Sequence, residues 1–156
     1  MLFTRDRDAL RRYYCEAWRR HRAGEPLEPL AREVAAVIAE HPEYHALLEQ
    51  EEAALGREYL PELGETNPFL HMGLHLAIRE QAATDRPGGF RAAYAALVRR
   101  AGSAHEAEHR IMDCLVEALW RAQRAGRAPD ETAYLRCVQA LARGRAADEP
   151  SRASDV

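Results

Sequence analysis

The stretch Asn67-Pro-Phe-Leu-His71-Met-Gly-Leu-His75 determines much of the architecture, because it combines a helix start with a patterned apolar face. Asn67 suits the N-cap position, and Pro68 suits the first helical position, where its missing N–H costs nothing. On a helix, His71 and His75 leave the same face one turn apart, among apolar residues. We therefore predict a largely buried helix with two imidazoles facing the core.

The rest of the chain shares this helical character. Ala, Leu, Arg and Glu dominate the 156 residues and β-branched residues are scarce, which favours helix over sheet. Apolar residues recur at helical spacing in several further segments that Gly or Pro residues separate. We predict an all-α fold, a single-domain helical bundle of five to seven helices over residues 1–143. Residues 144–156 have almost nothing to bury and are expected to form a disordered C-terminal tail.

A second histidine pair, His105 and His109, repeats the i,i+4 spacing within a long predicted helix. Ser103 is expected to cap the start of this helix, with Glu106 completing a capping box. His105, Glu108 and His109 project onto the apolar face of the helix. The pattern therefore predicts that both imidazoles and the Glu108 carboxylate point into the core.

The two helices that carry these pairs are expected to run parallel. One short helix, with Phe90 and Val98 in its apolar set, lies between them, and short loops make successive helices antiparallel. Two reversals bring the N-termini of the first and third helices to the same end. Each histidine pair lies within about two turns of its own N-terminus. The four imidazoles should therefore lie at nearly the same height.

Two facing pairs of imidazoles supply four nitrogen ligands, which suits Zn, Fe, Cu or Ni. The positive end of each helix dipole also disfavours imidazolium, the form that cannot bind metal. A third pair flanks Pro42, which should begin a helix carrying His45, whereas His41 precedes the proline and is steered out of helical geometry. We therefore expect His45 as a reserve ligand before His41. The predicted metal ligands are His71, His75, His105, His109, Glu108 and His45.

Charge and cysteine content restrict the classes of partner and the location. The formal net charge is -3 with arginines interspersed among acids, so no nucleic-acid footprint is visible. No apolar run approaches the roughly 18 residues that span a bilayer, and the N-terminus lacks a signal-peptide pattern. Three distant cysteines without a C-x-x-C motif favour reduced thiols. We expect a cytoplasmic protein that binds neither nucleic acid nor membrane, and a protein partner or a homo-oligomer stays open.

Several of these motifs resemble those of a bacterial protein family. The stretch NPFLHxxxHLAIREQ at residues 67–81, followed by DRP at 85–87, is similar to a proteobacterial family catalogued as domain of unknown function 1841. The HPEYH stretch at 41–45 and the HEAEH stretch at 105–109 also fit its pattern. The likeness covers most of residues 1–142. It implies a small cytoplasmic helical protein and supplies no activity.

Two functions follow from these patterns. The first is a helical-bundle protein that binds a transition-metal ion through inward histidine pairs, as a metalloenzyme or as a metal carrier or sensor. The alternative is a metal-free protein-interaction module whose histidines are satisfied within the core. No nucleophile triad, phosphate loop or dinucleotide fingerprint indicates another enzyme class, so the sequence assigns no reaction. The stretch Arg79-Glu-Gln81 is expected to be structural, with ion pairs on or between helices.

Overall fold

A computed structural model describes residues 2–60 and 65–144, and every regular element in these ranges is helical. The described elements are α1 Leu2–Arg22, α2 Pro29–Ala39, a 3-10 helix Pro42–Tyr44, α3 His45–Leu48, α4 Glu51–Gly56, α5 Pro68–Thr84, α6 Phe90–Ala101, α7 Ala104–Ala125 and α8 Glu131–Ala142. The predicted all-α fold is confirmed, with one α-helix more than the predicted upper limit of seven. The predicted tail, apart from its first residue, lies outside the described residues.

The additional helix arises after Pro42, where the apolar pattern predicts one helix and the structure has the 3-10 helix, α3 and α4. Leu48 and Ala54 are both buried in the same core cluster. Six residues apart on one continuous helix, they would point about 120° away from each other. The backbone leaves the helical region at Gln50 (φ −124°, ψ 85°), and this break lets both side chains face the core.

The chain divides into two compact units between Leu76 and Ala77. In the first unit, α1 packs against α2, α3 and α4. Buried residues of its core are Tyr14, Trp18, Val34, Val37, Ile38, Leu48, Phe69 and Met72. His71 and His75 lie on the part of α5 that belongs to this unit, beside this apolar core. The prediction that residues 1–143 form one domain stays a prediction.

In the second unit, α6, α7 and α8 pack against one another. Phe90 begins α6 and is buried, and its ring stacks with those of Tyr94 and Tyr134 at centre-to-centre distances of 6.2 and 5.8 Å. The Tyr134 hydroxyl donates a hydrogen bond to the side-chain oxygen of Gln81 at 2.6 Å. Aromatic packing and this bond together hold α8 against α6 and the end of α5.

The two predicted helix starts are confirmed. Asn67 Oδ1 accepts a hydrogen bond from the backbone N–H of Phe69 at 3.0 Å, and Ser103 Oγ accepts one from the N–H of Glu106 at 3.1 Å. The Glu106 carboxylate contacts Arg110 Nε at 3.4 Å, one turn further along α7. The Glu106 carboxylate, which the predicted capping box would place near the Ser103 backbone, therefore forms an i,i+4 ion pair with Arg110.

The cysteines of the second unit contradict the prediction of reduced thiols. Cys114 of α7 and Cys137 of α8 form a disulfide, with Cα atoms 5.9 Å apart, and Cys15 is the free cysteine. Gly126 ends α7 in the left-handed conformation (φ 64°), about midway along the chain between the two bonded cysteines. The chain reverses at this glycine and α8 packs on α7. Residues at similar distances before and after the turn, such as Cys114 and Cys137, therefore lie close together.

Reduction of this disulfide is expected to lower the free energy of unfolding by about 3 kcal/mol, because the bond closes a loop in the unfolded chain. The loop corresponds to a sequence separation of 23 residues. Urea unfolding followed by circular dichroism, with and without a phosphine reductant, measures the change. The double variant Cys114→Ser/Cys137→Ser is the control and should be insensitive to the reductant. A change below about 1 kcal/mol in the wild type would contradict the prediction.

Candidate metal centre

Three histidines of the first unit lie together and form what we call the histidine cluster: His41, His71 and His75. Their ring centres are 5.2 Å apart for His41 and His71, 4.8 Å for His41 and His75, and 5.0 Å for His71 and His75. The three side chains are buried, with exposures of 1%, 4% and 0%. The expectation that the two α5 imidazoles point into the interior is confirmed.

His41 is the member of the cluster that the sequence argument ranks last. Its backbone does leave the helix before Pro42, at φ −125° and ψ 68°. This turn returns the ring to the end of α2, where Nδ1 lies 2.7 Å from the carbonyl oxygen of Val37. A sequence signal was present, because His41 continues the buried stripe of Val34 and Ile38 at helical spacing.

The contact with Val37 determines the tautomer of the neutral His41 ring. A carbonyl oxygen only accepts hydrogen bonds, so Nδ1 carries the proton and donates it. The lone pair of the neutral imidazole is then on Nε2, the arrangement that backbone carbonyls impose on metal-binding histidines. A ring nitrogen of His41 and a ring nitrogen of His75, each able to bind a metal, lie within 4.8 Å of each other. Two nitrogens on one ion are roughly 3–4 Å apart, a separation within reach of a small ring rotation.

His45 makes a different set of contacts. Its Nε2 lies 2.7 Å from the carbonyl oxygen of Ile38, and its ring packs on Trp18 at 4.4 Å between centres. The other ring neighbour of Trp18 is His21, at 5.4 Å. His45 therefore satisfies a carbonyl at the end of α2 and extends the core, and we leave it out of the ligand set proposed below.

Tyr44 lies against two rings of the histidine cluster. Its ring is nearly parallel to that of His41 at 5.4 Å and lies 6.4 Å from that of His71. Burial is the main cause that raises the pKa of its hydroxyl, so Tyr44 remains a neutral phenol at physiological pH. An aromatic ring at this place limits the access of water to the imidazoles.

In the second unit, His105 and His109 face each other on α7. Their ring centres are 4.3 Å apart, and a ring nitrogen of one lies within 4.8 Å of a ring nitrogen of the other. Both side chains are half-buried. The i,i+4 spacing therefore brings two imidazoles to one face of α7, as the sequence predicts.

Glu108 lies between these two histidines in the sequence and is fully buried. Arg79 Nε donates to both of its carboxylate oxygens, at 3.1 and 3.2 Å, and the Tyr94 hydroxyl donates to Oε2 at 2.6 Å. The expected structural role of Arg79 is confirmed, because it forms an ion pair between α5 and α7. Glu108 therefore holds Arg79 and Tyr94 in place, and its predicted role as a metal ligand stays a prediction.

Comparison with protein families gives a match over most of the chain. The model of a family described as a domain of unknown function (DUF1841) matches residues 6–140. No curated protein and no solved structure matches the chain. Within the described residues, no helix combines the length and the apolarity that a membrane span requires. The matched range includes the three histidines of the cluster, the two histidines of α7 and both bonded cysteines. The chain belongs to the DUF1841 family.

Proposed function

We propose that the protein binds a transition-metal ion through its buried histidines. The observation that carries this proposal is the histidine cluster, in which three buried ring centres lie 4.8, 5.0 and 5.2 Å apart. A ring centre lies roughly 3 Å from a metal that its nitrogen binds, so imidazoles at tetrahedral angles have ring centres about 5 Å apart. The spacing supports an ion bound at the cluster.

Burial of the cluster argues in the same direction. Moving polar imidazoles out of water costs free energy. Leu or Phe would fill the same space without this cost, so packing alone does not explain three buried histidines. Metal ligation offsets this cost, because an imidazole nitrogen that binds a metal no longer needs water. The His41 tautomer, fixed by the Val37 carbonyl, supports the same function.

We extend the ligand set to His105 and His109 on the sequence pattern, which predicts parallel helices with histidine pairs at equal height. The proposal is one ion per chain, bound at the histidine cluster of His41, His71 and His75, with His105 and His109 as the further ligands that the sequence pattern predicts. Imidazole ligands suit Zn, Cu, Ni or Fe. Four protein ligands would suit a carrier, a sensor or a structural site, and three with an open position would suit a metalloenzyme.

The test is the metal content of protein purified without a His-tag and loaded with Zn²⁺, with Co²⁺ absorption as a report on the ligands. We expect one equivalent in the wild type and a loss of affinity on the order of tenfold or more in His75→Ala and in His109→Ala. His21→Ala is the matched control. His21 is an exposed histidine outside the cluster, so its removal should leave binding unchanged.

The outcomes separate the parts of the proposal. Loss of the ion in His75→Ala but not in His109→Ala would overturn the shared ion and leave a site in the first unit. Equal binding by the wild type, His75→Ala and His21→Ala would overturn metal binding at the cluster. Absence of binding in the wild type would favour the metal-free interaction module. A metal-dependent rise in melting temperature in the wild type, lost in His75→Ala, would support the proposal independently.

A further inference from the structure

A groove of about 540 Å³ in the second unit lies along α7, α8 and the loop between them. Its volume falls within the range of about 300–1,000 Å³ that is typical of small-molecule sites. The groove exists because small side chains line it where larger ones would fill the space. These are Ala118, Ala122, Ala125, Ala128 and Ala133. Cys114 and Cys137, the two halves of the disulfide, belong to the same lining.

The two cysteines of this disulfide differ in their exposure to solvent. Cys137 is exposed, whereas Cys114 is buried. A thiolate breaks a disulfide by attacking one sulfur while the other leaves, and access decides which sulfur is attacked. Attack on Cys137, with Cys114 as the leaving group, is therefore the course that the structure permits.

The charges of the groove are balanced. Arg121 and Arg127 supply two cations, and Glu117 and Asp130 supply two anions. Arg121 Nε lies 2.7 Å from a Glu117 carboxylate oxygen, and the Asp130 side chain accepts the backbone N–H of Ala133. A groove with both signs of charge complements a ligand that carries both ammonium and carboxylate groups better than it complements a simple anion.

We propose that the Cys114–Cys137 disulfide is a thiol–disulfide exchange site for a small zwitterionic peptide thiol that docks in this groove. The thiolate of the small thiol attacks Cys137 Sγ and forms a mixed disulfide there, while the protein S–S bond breaks. Cys114 leaves as a thiolate and takes a proton from water. A second small thiol attacks the small-molecule sulfur of the mixed disulfide and releases the Cys137 thiol. The protein disulfide gains two electrons, and the two small thiols are oxidised to one small-molecule disulfide.

Cys15 provides an internal negative control for this chemistry. It is buried in the first unit, and burial, with a smaller contribution from Glu51, raises the pKa of its thiol to about 11. Little thiolate is present at neutral pH, and thiolate is the reactive form. Cys15 should therefore stay unmodified in every folded variant.

The test uses the full-length protein, glutathione as the probe, and two serine variants. Cys114→Ser retains the exposed Cys137, and Cys137→Ser retains the buried Cys114. With oxidised glutathione, Cys114→Ser should form a mixed disulfide on the order of tenfold faster than Cys137→Ser, as intact-mass spectrometry measures. In the wild type, reduced glutathione followed by alkylation should leave glutathione on Cys137 and the alkyl group on Cys114.

A second comparison tests the docking of a zwitterion. Arg127→Ala should slow exchange with glutathione by roughly threefold or more and leave exchange with 2-mercaptoethanol, which lacks charged groups, unchanged. Equal slowing with both thiols would overturn the docking of a zwitterionic ligand. Equal rates for the two serine variants would overturn the exchange site.

Labelling of Cys15 distinguishes unfolding from exchange. If a serine variant fails to fold, Cys15 becomes reactive, and the wild-type mapping decides the question alone. A wild-type disulfide that glutathione opens only when Cys15 is labelled at the same rate would be a structural bond, and the proposal would be wrong.

Discussion

Replacement of Glu108 by alanine is expected to lower the free energy of unfolding by about 3–5 kcal/mol, the range found when one partner of a buried ion pair is removed. The carboxylate is 0% exposed and accepts hydrogen bonds from Arg79 and Tyr94. Without it, a largely buried guanidinium loses this counter-ion and a phenol loses this acceptor. Both partners are only partly exposed, so water replaces these interactions incompletely. Urea unfolding followed by circular dichroism measures the change.

Glu117→Ala is the matched control for this experiment. Glu117 lies on the same helix and also accepts from an arginine, Arg121, at 2.7 Å, but its side chain is 53% exposed. Removal of an exposed pair of this kind should cost less than about 1 kcal/mol. Glu108→Gln preserves the shape of the side chain and should cost less than Glu108→Ala. If Glu108→Ala and Glu117→Ala prove equally mild, the buried carboxylate does not organise α5, α6 and α7 as we infer.

The helices that the sequence predicts well are those whose start depends on nearby residues. Asn67 and Ser103 accept hydrogen bonds from backbone groups two or three residues further on. The energy of such a cap is local, so a short stretch of sequence contains all the information about it. The break at Gln50 is different, because it depends on burial of Leu48 and Ala54 in a core that distant segments build.

The candidate site shows the same division between local and non-local information. The i,i+4 spacings bring together His71 with His75 and His105 with His109, and helix geometry alone predicts both pairs. His41 continues the helical stripe of Val34 and Ile38, so its inward direction has a local signal. The torsion angles of the turn before Pro42 are not part of that signal, and they set where the ring finally lies.

An odd number of cysteines without a C-x-x-C motif does not reveal the disulfide, because the bond depends on the chain reversal between α7 and α8. Cys114 and Cys137 lie at similar distances from the turn at Gly126, and the packing of α8 on α7 brings them together. Helix pairing, which is a tertiary property, would have been needed to predict this bond.

Arg11→Met is expected to lower the free energy of unfolding by about 3–5 kcal/mol, because each hydrogen bond from a charged donor contributes about 1.5–3 kcal/mol. Arg11 is only 3% exposed, and its Nη1 donates to the carbonyl oxygens of Ala54 at 2.8 Å and Arg57 at 2.6 Å. These carbonyls lie at the C-terminal end of α4, where the helix dipole favours a cation. Burial lowers the pKa of Arg11, but a guanidinium remains protonated.

The prediction is specific to guanidinium geometry and to α4. The guanidinium also lies over the ring of Phe69, 4.9 Å from its centre, so Arg11→Lys should restore only part of the lost stability. Arg12→Met is the matched control, because Arg12 is exposed and pairs with Glu51 at 3.5 Å. A six-residue helix such as α4 is not stable alone. Its amides should therefore exchange with deuterium faster in Arg11→Met and at the wild-type rate in Arg12→Met. Equal exchange in both variants would show that Arg11 does not hold α4 in place.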